Sequence, residues 1–273
     1  MVNTIPHSLN EALTLLSEGG LRPYGGGTDL MVPEERQEEY LFLHRVEELK
    51  EMADDGTYVR IGAECTFSQI EEQGAAVPLL RDAVSQIAAP AIRNLGTIGG
   101  NVGNGSAKAD SALALFALGA IVRVVSLRGE RLIPIHEFYL GRKKLDLRAD
   151  ELIAEFLIPK KHIGSYYYEK VGARKALAIS RVSFAGVLVE KYGVITYCAT
   201  AFGAINDRIV SLPHIDGLLL GSTRKEAAAC RKVYFDAMRR ELNPQDGRIS
   251  ADYRKAVCMN LLEAFWDSCV AEG

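Results

Sequence analysis

Two short stretches hold the residue types that could do chemistry, and both are rich in glycine. "YGGGTDL", 24–30, places Gly25, Gly26 and Gly27 before Thr28, Asp29 and Leu30. "TIGGNVGNGS", 97–106, places Thr97, Ile98, Gly99, Gly100 and Asn101 before Asn104 and Ser106. A glycine run gives up packing area and costs conformational entropy, so it belongs where the backbone turns sharply or something approaches it closely. Successive main-chain N–H groups in a tight turn can point into one concavity and bind an anion, and a helix N-terminus behind them adds free donors. Phosphate is the natural guest. Two such bends facing each other could hold both phosphates of a dinucleotide without a lysine or arginine, because the missing side chains would let phosphate oxygens reach the backbone. The plain alternative is that each loop is only a turn.

Other chemistries lack their residues. No G-x-x-x-x-G-K-[ST] occurs for a P-loop, no G-x-G-x-x-G follows a strand for a Rossmann site, and no G-x-S-x-G is present for a hydrolase. The five histidines are isolated and the five cysteines contain no C-x-x-C, so neither a metal site nor an iron-sulfur cluster is expected on this chain. With 273 residues, 48% of them hydrophobic, there is length for a large bound cofactor, and a formal charge of -3 exerts no pull toward nucleic acid or an anionic membrane. No stretch reaches the roughly 18 apolar residues of a membrane span, and the N-terminus lacks a basic, then apolar, leader. The expectation is a cytoplasmic chain that binds neither nucleic acid nor membrane.

The elements that must position these loops can be read from periodicity. Ser8 caps a helix through Leu16 that stops at Gly19-Gly20, and 40–46 and 57–67 read as strands. FSQIEEQ and PLLRDAVSQIA read as short helices; 89–110 keeps no period and reads as a long loop, followed by a buried helix from ADSALALFALGA. A hairpin is expected around Arg128-Gly129, strands at 151–159 and 165–172, and a second hairpin through Lys191-Tyr192-Gly193. Thr223 and Glu226 form a capping box for a helix using Cys230, Tyr234, Ala237 and Met238, and Ser250 opens another using Tyr253, Val257, Leu261 and Ala264. The domain boundary is placed near residue 163.

"YGGGTDLM", "IRNLGTIGGNVGNGSAKAD" and, entering the C-terminal part, "YYYEKVGARKALAISRVSFA" (166–185) resemble in order the flavin-carrying medium subunit of molybdenum hydroxylases, the xanthine dehydrogenase and carbon monoxide dehydrogenase family. The resemblance spans essentially the whole chain. It implies an α+β fold: a PCMH-type FAD-binding domain of two subdomains, residues 1–163, followed by a C-terminal domain, 164–273, of a three-stranded antiparallel sheet with helices. It also implies that Gly25 to Leu30 wrap the pyrophosphate while Thr97, Ile98, Gly99, Gly100 and Asn101 close on it, with Asn104 and Ser106 as further loop candidates. Asp110 matches an FAD-contacting aspartate. Beside two phosphates a carboxylate is repelled, so it would accept from a ribose or ribityl hydroxyl, or else cap the following helix. Lys170 matches a lysine that reaches the flavin, although a strand lysine is ordinarily solvated. Ile87 and Ile153 match apolar flavin contacts that core packing would equally explain.

Two departures stand out. Ala107 replaces the family's usual proline after Ser106, and Leu177-Ala178 precede Ile179 where some members carry an acidic residue. The implied activity is electron transfer through FAD, with no acid or base supplied by this chain. Molybdopterin and [2Fe-2S] would reside on partner subunits, NAD would be the acceptor, and the assembly would be a heterotrimer or its dimer. The rival readings are a self-contained PCMH-type flavin oxidoreductase and a non-enzymatic phosphate-binding module.

Overall fold

Ser8 stands in extended backbone and accepts from the Glu11 amide, so α1 (Leu9–Ser17) begins where the sequence puts it and buries Ala12, Leu13 and Leu16. The computed structural model describes residues 4–31, 39–174 and 177–271. β1 (Leu21–Tyr24) pairs in parallel with β2 (Glu39–Phe42), which ends short of the expected residue 46. Against α1 and β2 pack Val46, Leu49, Val125, Leu152 and Ala154, forming a first, small core.

β3 (Met52–Asp54) and β4 (Tyr58–Gly62) follow. β4 stops at Gly62, where a Cβ would collide with the Leu49 carbonyl, and a Thr66–Gln69 capping box then starts α2 (Phe67–Gln73). The cap overrides the strand expected through residue 67. α3 (Pro78–Ser85), α4 (Pro90–Arg93) and α5 (Ile98–Gly103) come next, so the stretch expected as an unbroken loop contains two short helices. Every residue of α6 (Asp110–Ala117) is buried. The hairpin β5 (Ile121–Ser126) and β6 (Gly129–Pro134), α7 (Ile135–Phe138), β7 (Tyr139–Gly141) and β8 (Lys144–Leu145) lead to β9 (Leu152–Pro159).

β9 lies at the centre of an antiparallel sheet ordered β3-β4-β9-β5-β6 and is buried along its whole length. Its one carboxylate, Glu155, is accommodated there by Arg60 at 2.6 Å and Arg123 at 2.7 Å.

β10 (Ser165–Val171), β11 (Val182–Lys191), β12 (Val194–Gly203) and β13 (Val210–Ser211) make the second antiparallel sheet, which has a two-residue fourth strand beyond the three expected. The β11–β12 turn carries Tyr192 and Gly193 at φ 56° and 77°, as a two-residue hairpin requires. α8 (Pro213–Asp216), α9 (Arg224–Glu241) and α10 (Ala251–Phe265) cover one face of that sheet. The Thr223–Glu226 box and the Ser250 cap are both formed. α9 buries Tyr234, Ala237 and Met238 as expected, with Ala227 in place of the exposed Cys230, whereas the buried face of α10 is rotated from expectation: Tyr253 is exposed, and Cys258, Met259, Leu262 and Phe265 are buried together with Leu261. In α10 the Phe265 ring lies directly on the sheet at Gly186, where a Cβ would stand 2.6 Å from it. The opposite face of the same sheet sends Ala185, Val187 and Ala201 into the main core with α3, α5 and α6, so one core runs across residue 163.

Asp216 ties this half together, accepting from Thr200 N at 2.8 Å, Thr200 Oγ1 at 3.0 Å and Tyr234 Oη at 2.7 Å. Burial pushes its carboxyl up to about 7 against the pull of those donors. The folded state then binds a proton that the unfolded chain has released. This contribution is complete below the ordinary carboxylate range and is lost as pH rises to about 7. Asp216→Asn is expected to flatten that part of the profile, measured as the difference between wild-type and variant melting temperatures across pH; an unchanged slope would place the proton elsewhere.

Candidate functional site

The two glycine bends touch. The space that a Cβ on Gly26 would fill is taken by the Leu95 carbonyl oxygen, and at Gly25 it is taken by Thr97 Oγ1 at 2.6 Å and Glu64 Oε1 at 2.8 Å. Gly27 has φ +67° and lies against the Tyr24 hydroxyl, whose ring packs 4.5 Å from that of Phe42. The amides of Gly25, Gly26, Gly27, Thr28, Asp29 and Leu30 donate to no group among the described residues, although Gly27 O accepts from Met31 N. Buried main-chain donors are almost always paired, so six consecutive unpaired amides in a largely half-buried loop mark a binding surface for acceptors.

The second bend is built differently from expectation. Ile98 N donates to Cys65 O at 3.0 Å, Gly99 N to Ala63 O at 2.8 Å, and Gly100 N to Thr97 Oγ1 at 3.1 Å. The first amides of α5 are therefore satisfied by the protein, because the turn before α2 docks under this helix. What the bend offers is the Thr97 N–H, the exposed edge of Gly100 and two asparagines. Asn101 Oδ1 accepts from Ser111 Oγ at 2.7 Å, which leaves its amide nitrogen as a donor with no partner among the described residues. Asn104 and Ser106 are half-buried beyond it, and Asp29 is exposed.

Asp110 and Lys170 meet each other. Lys170 Nζ stands 2.6 Å from Asp110 Oδ2 and donates to Gln86 O at 3.1 Å, while Ser180 Oγ donates to Asp110 Oδ1 at 2.9 Å. The side chains are 11% and 5% exposed, so the pair is buried. Burial pushes the Asp110 carboxyl above the ordinary carboxylate range, opposed by the Lys170 charge and by hydrogen bonds from Lys170 and Ser180. Asp110 is the first residue of α6, whose cap position is Ala109, so it does not cap that helix. Tyr168, on the same face of β10 as Lys170, has a buried hydroxyl with no hydrogen-bond partner among the described residues. Ile87 is half-buried and Ile153 is core. After β10, Leu177 takes φ +54° and, like Ile179, is an exposed apolar side chain near the buried Ser180.

Sequence reasoning missed Glu64, Ser111, Tyr168, Ser180 and the Gln86 carbonyl. Only Tyr168 carried a signal, its alternation with Lys170; the others join across sequence distances at which no local pattern exists.

A two-subdomain α+β unit that presents a row of free amides beside a second glycine bend, continued by a sheet-and-helix domain, has the architecture of a flavin dinucleotide carrier. Residues 3–161 match the family model described as the FAD binding domain in molybdopterin dehydrogenase, and residues 166–269 match the CO dehydrogenase flavoprotein C-terminal domain. The chain is 32% identical over 222 residues to the xanthine dehydrogenase FAD-binding subunit of Escherichia coli O157:H7, covering 77% of this chain and 75% of that one. It is 33% identical over 233 residues to the nicotinate dehydrogenase FAD-subunit of Eubacterium barkeri, covering 80% and 78%. Among solved structures, the reconstituted CO dehydrogenase from Oligotropha carboxidovorans contains a chain that superposes with a TM-score of 0.87 at 24% identity, each chain covered completely. The chain belongs to the family of FAD-binding medium subunits of molybdenum hydroxylases. None of its described helices is long and apolar enough to cross a membrane.

Proposed function

We propose that this chain passes electrons from a partner [2Fe-2S] subunit through FAD to NAD, within a cytoplasmic heterotrimer or its dimer that also contains a molybdopterin subunit. The observation that carries the reading is the row of six amides from Gly25 to Leu30 that are unpaired among the described residues, packed against Thr97 of the second bend. When bound, FAD takes electrons singly from an iron-sulfur centre and gives them up in pairs. Everything else asked of this chain is binding and orientation.

In this reading the Gly25–Leu30 amides, with the Thr28 hydroxyl, hold the diphosphate from one side. Thr97, Ile98, Gly99, Gly100, Asn101 and Asn104 line the other, through the Thr97 N–H, the open backbone edge of Gly100 and the amide nitrogen of Asn101 rather than through the engaged amides of α5. Asp110 and Lys170 form the polar end. The Tyr168 hydroxyl beside them is a buried donor without a partner among the described residues, which suits the hydroxyl-rich part of the cofactor. The division near residue 163 sets a binding domain against a domain that contributes Lys170 and Ser180. Relatives named for xanthine and nicotinate support a heterocycle as the reductant of the whole complex, oxidised on another subunit.

The test is native mass spectrometry of the complex purified through this chain, with anaerobic titration by NADH. One FAD per chain, partners of iron-sulfur and molybdopterin type, and bleaching of the flavin band by NADH are expected. A colourless chain that takes up no added FAD, or a single chain with full turnover and no partner, would overturn the proposal.

A further inference from the structure

Glu64 sits behind the first glycine bend. The residue is 6% exposed, and its carboxyl makes no hydrogen bond to any described residue and stands with the Thr97 hydroxyl at the spot where a Cβ on Gly25 would be. A buried carboxyl without donors is costly as an anion, and more so if two phosphates are bound on the far side of Gly25. We infer that Glu64 holds a proton at the diphosphate end of the cofactor site, so that FAD binding is coupled to proton uptake by this side chain. The inference rests on the flavin reading above.

The surroundings favour it. The field of Lys50, itself paired with Glu47 at 2.7 Å, lowers the Glu64 carboxyl, and burial outweighs that field, raising it to about 7. The neighbouring Cys65 thiol is pushed up by burial to about 11 and is neutral there. From β9, Glu155 is held by Arg60 and Arg123; from the first bend, Asp29 is exposed; from the second, Thr97 brings only a hydroxyl. The free protein is therefore poised to lose this proton near neutrality. Ionised diphosphate nearby would draw the value upward, and by linkage the cofactor must then bind the protonated form more tightly.

The experiment is titration of the full chain, freed of cofactor, with oxidised FAD by flavin fluorescence at several pH values, for wild type and Glu64→Gln. For wild type the dissociation constant is expected to be flat at acid pH and to rise toward about tenfold per pH unit above neutrality. Glu64→Gln carries a permanent amide donor in the same shape, so its affinity should not vary with pH and should exceed that of wild type at alkaline pH. A flat wild-type profile, or a slope that survives in Glu64→Gln, would overturn the inference. If the variant is weaker than wild type at every pH, Glu64 acts as an anion accepting from cofactor hydroxyls, and the inference is again wrong. Failure of both chains to bind FAD at any pH would instead sink the flavin reading, and this with it.

Discussion

Gly100→Val is expected to give a folded chain that no longer retains FAD, whereas Gly26→Val should lose both FAD and much of its stability. The two glycines differ in what lies beyond them. At Gly100, the third residue of α5, an added Cβ meets only Thr97 Oγ1 at 3.1 Å and otherwise points into open space, so the fold itself tolerates the side chain at small cost. A diphosphate lying along that edge does not. At Gly26 the Cβ would overlap the Leu95 carbonyl oxygen and crowd Gly96 Cα. Both are backbone atoms next to the bend that positions Thr97, and neither can swing away as a flexible side chain would. Overpacking of this kind costs about 1–3 kcal/mol or more, and here it also separates the two bends. The paired measurement is thermal melting together with the flavin-to-protein ratio after gel filtration. A Gly100→Val chain that melts like wild type and keeps its full complement of FAD would mean that α5 does not line the cofactor.

The same contrast shows how far the sequence could be read. Both glycine bends, their order, the buried helix α6 after the second and the α+β class were legible because turn chemistry and caps such as Ser8, Thr223 and Ser250 are local properties. The reason for each glycine was not legible. Gly25, Gly26 and Gly99 lack side chains because Thr97, Leu95 and Ala63 need the space, which a reading in terms of phosphate approach alone would miss. The α5 amides looked like anion donors until the Ala63 and Cys65 carbonyls, thirty-odd residues earlier, proved to accept from them. Glu64 fell inside a segment that read as strand, and nothing in "IGAECTF" shows that the chain leaves the sheet at Gly62 and turns this carboxyl under the first bend. The face of α9 was legible from its period, since Tyr234, Ala237 and Met238 are buried, but that of α10 was not: which side is buried there is decided by contacts such as Phe265 on Gly186.

Lys170→Met is the second substitution expected to have a large effect, and it tests whether Asp110 and Lys170 act as one unit. The pair joins α6 to β10 across the domain division, at 2.6 Å and almost out of solvent. Removing one partner of such a pair typically costs about 3–5 kcal/mol, because the other charge is left buried. In Lys170→Met the carboxylate keeps only the Ser180 hydroxyl, so the group already raised by burial rises further and takes up a proton on folding. An acid whose folded value lies above its unfolded value contributes stability that is full at low pH and lost as pH climbs through the folded value. The variant's deficit should therefore be small in acid and grow toward alkaline pH. Asp110→Asn in the same chain should restore most of the loss, since neither residue is then charged and Ser180 still has an acceptor. Denaturant melts of the wild type, both single variants and the double variant close the cycle. A coupling of less than about 1 kcal/mol, the range of an exposed ion pair, would mean that Lys170 is solvated in the folded chain and available to the flavin alone.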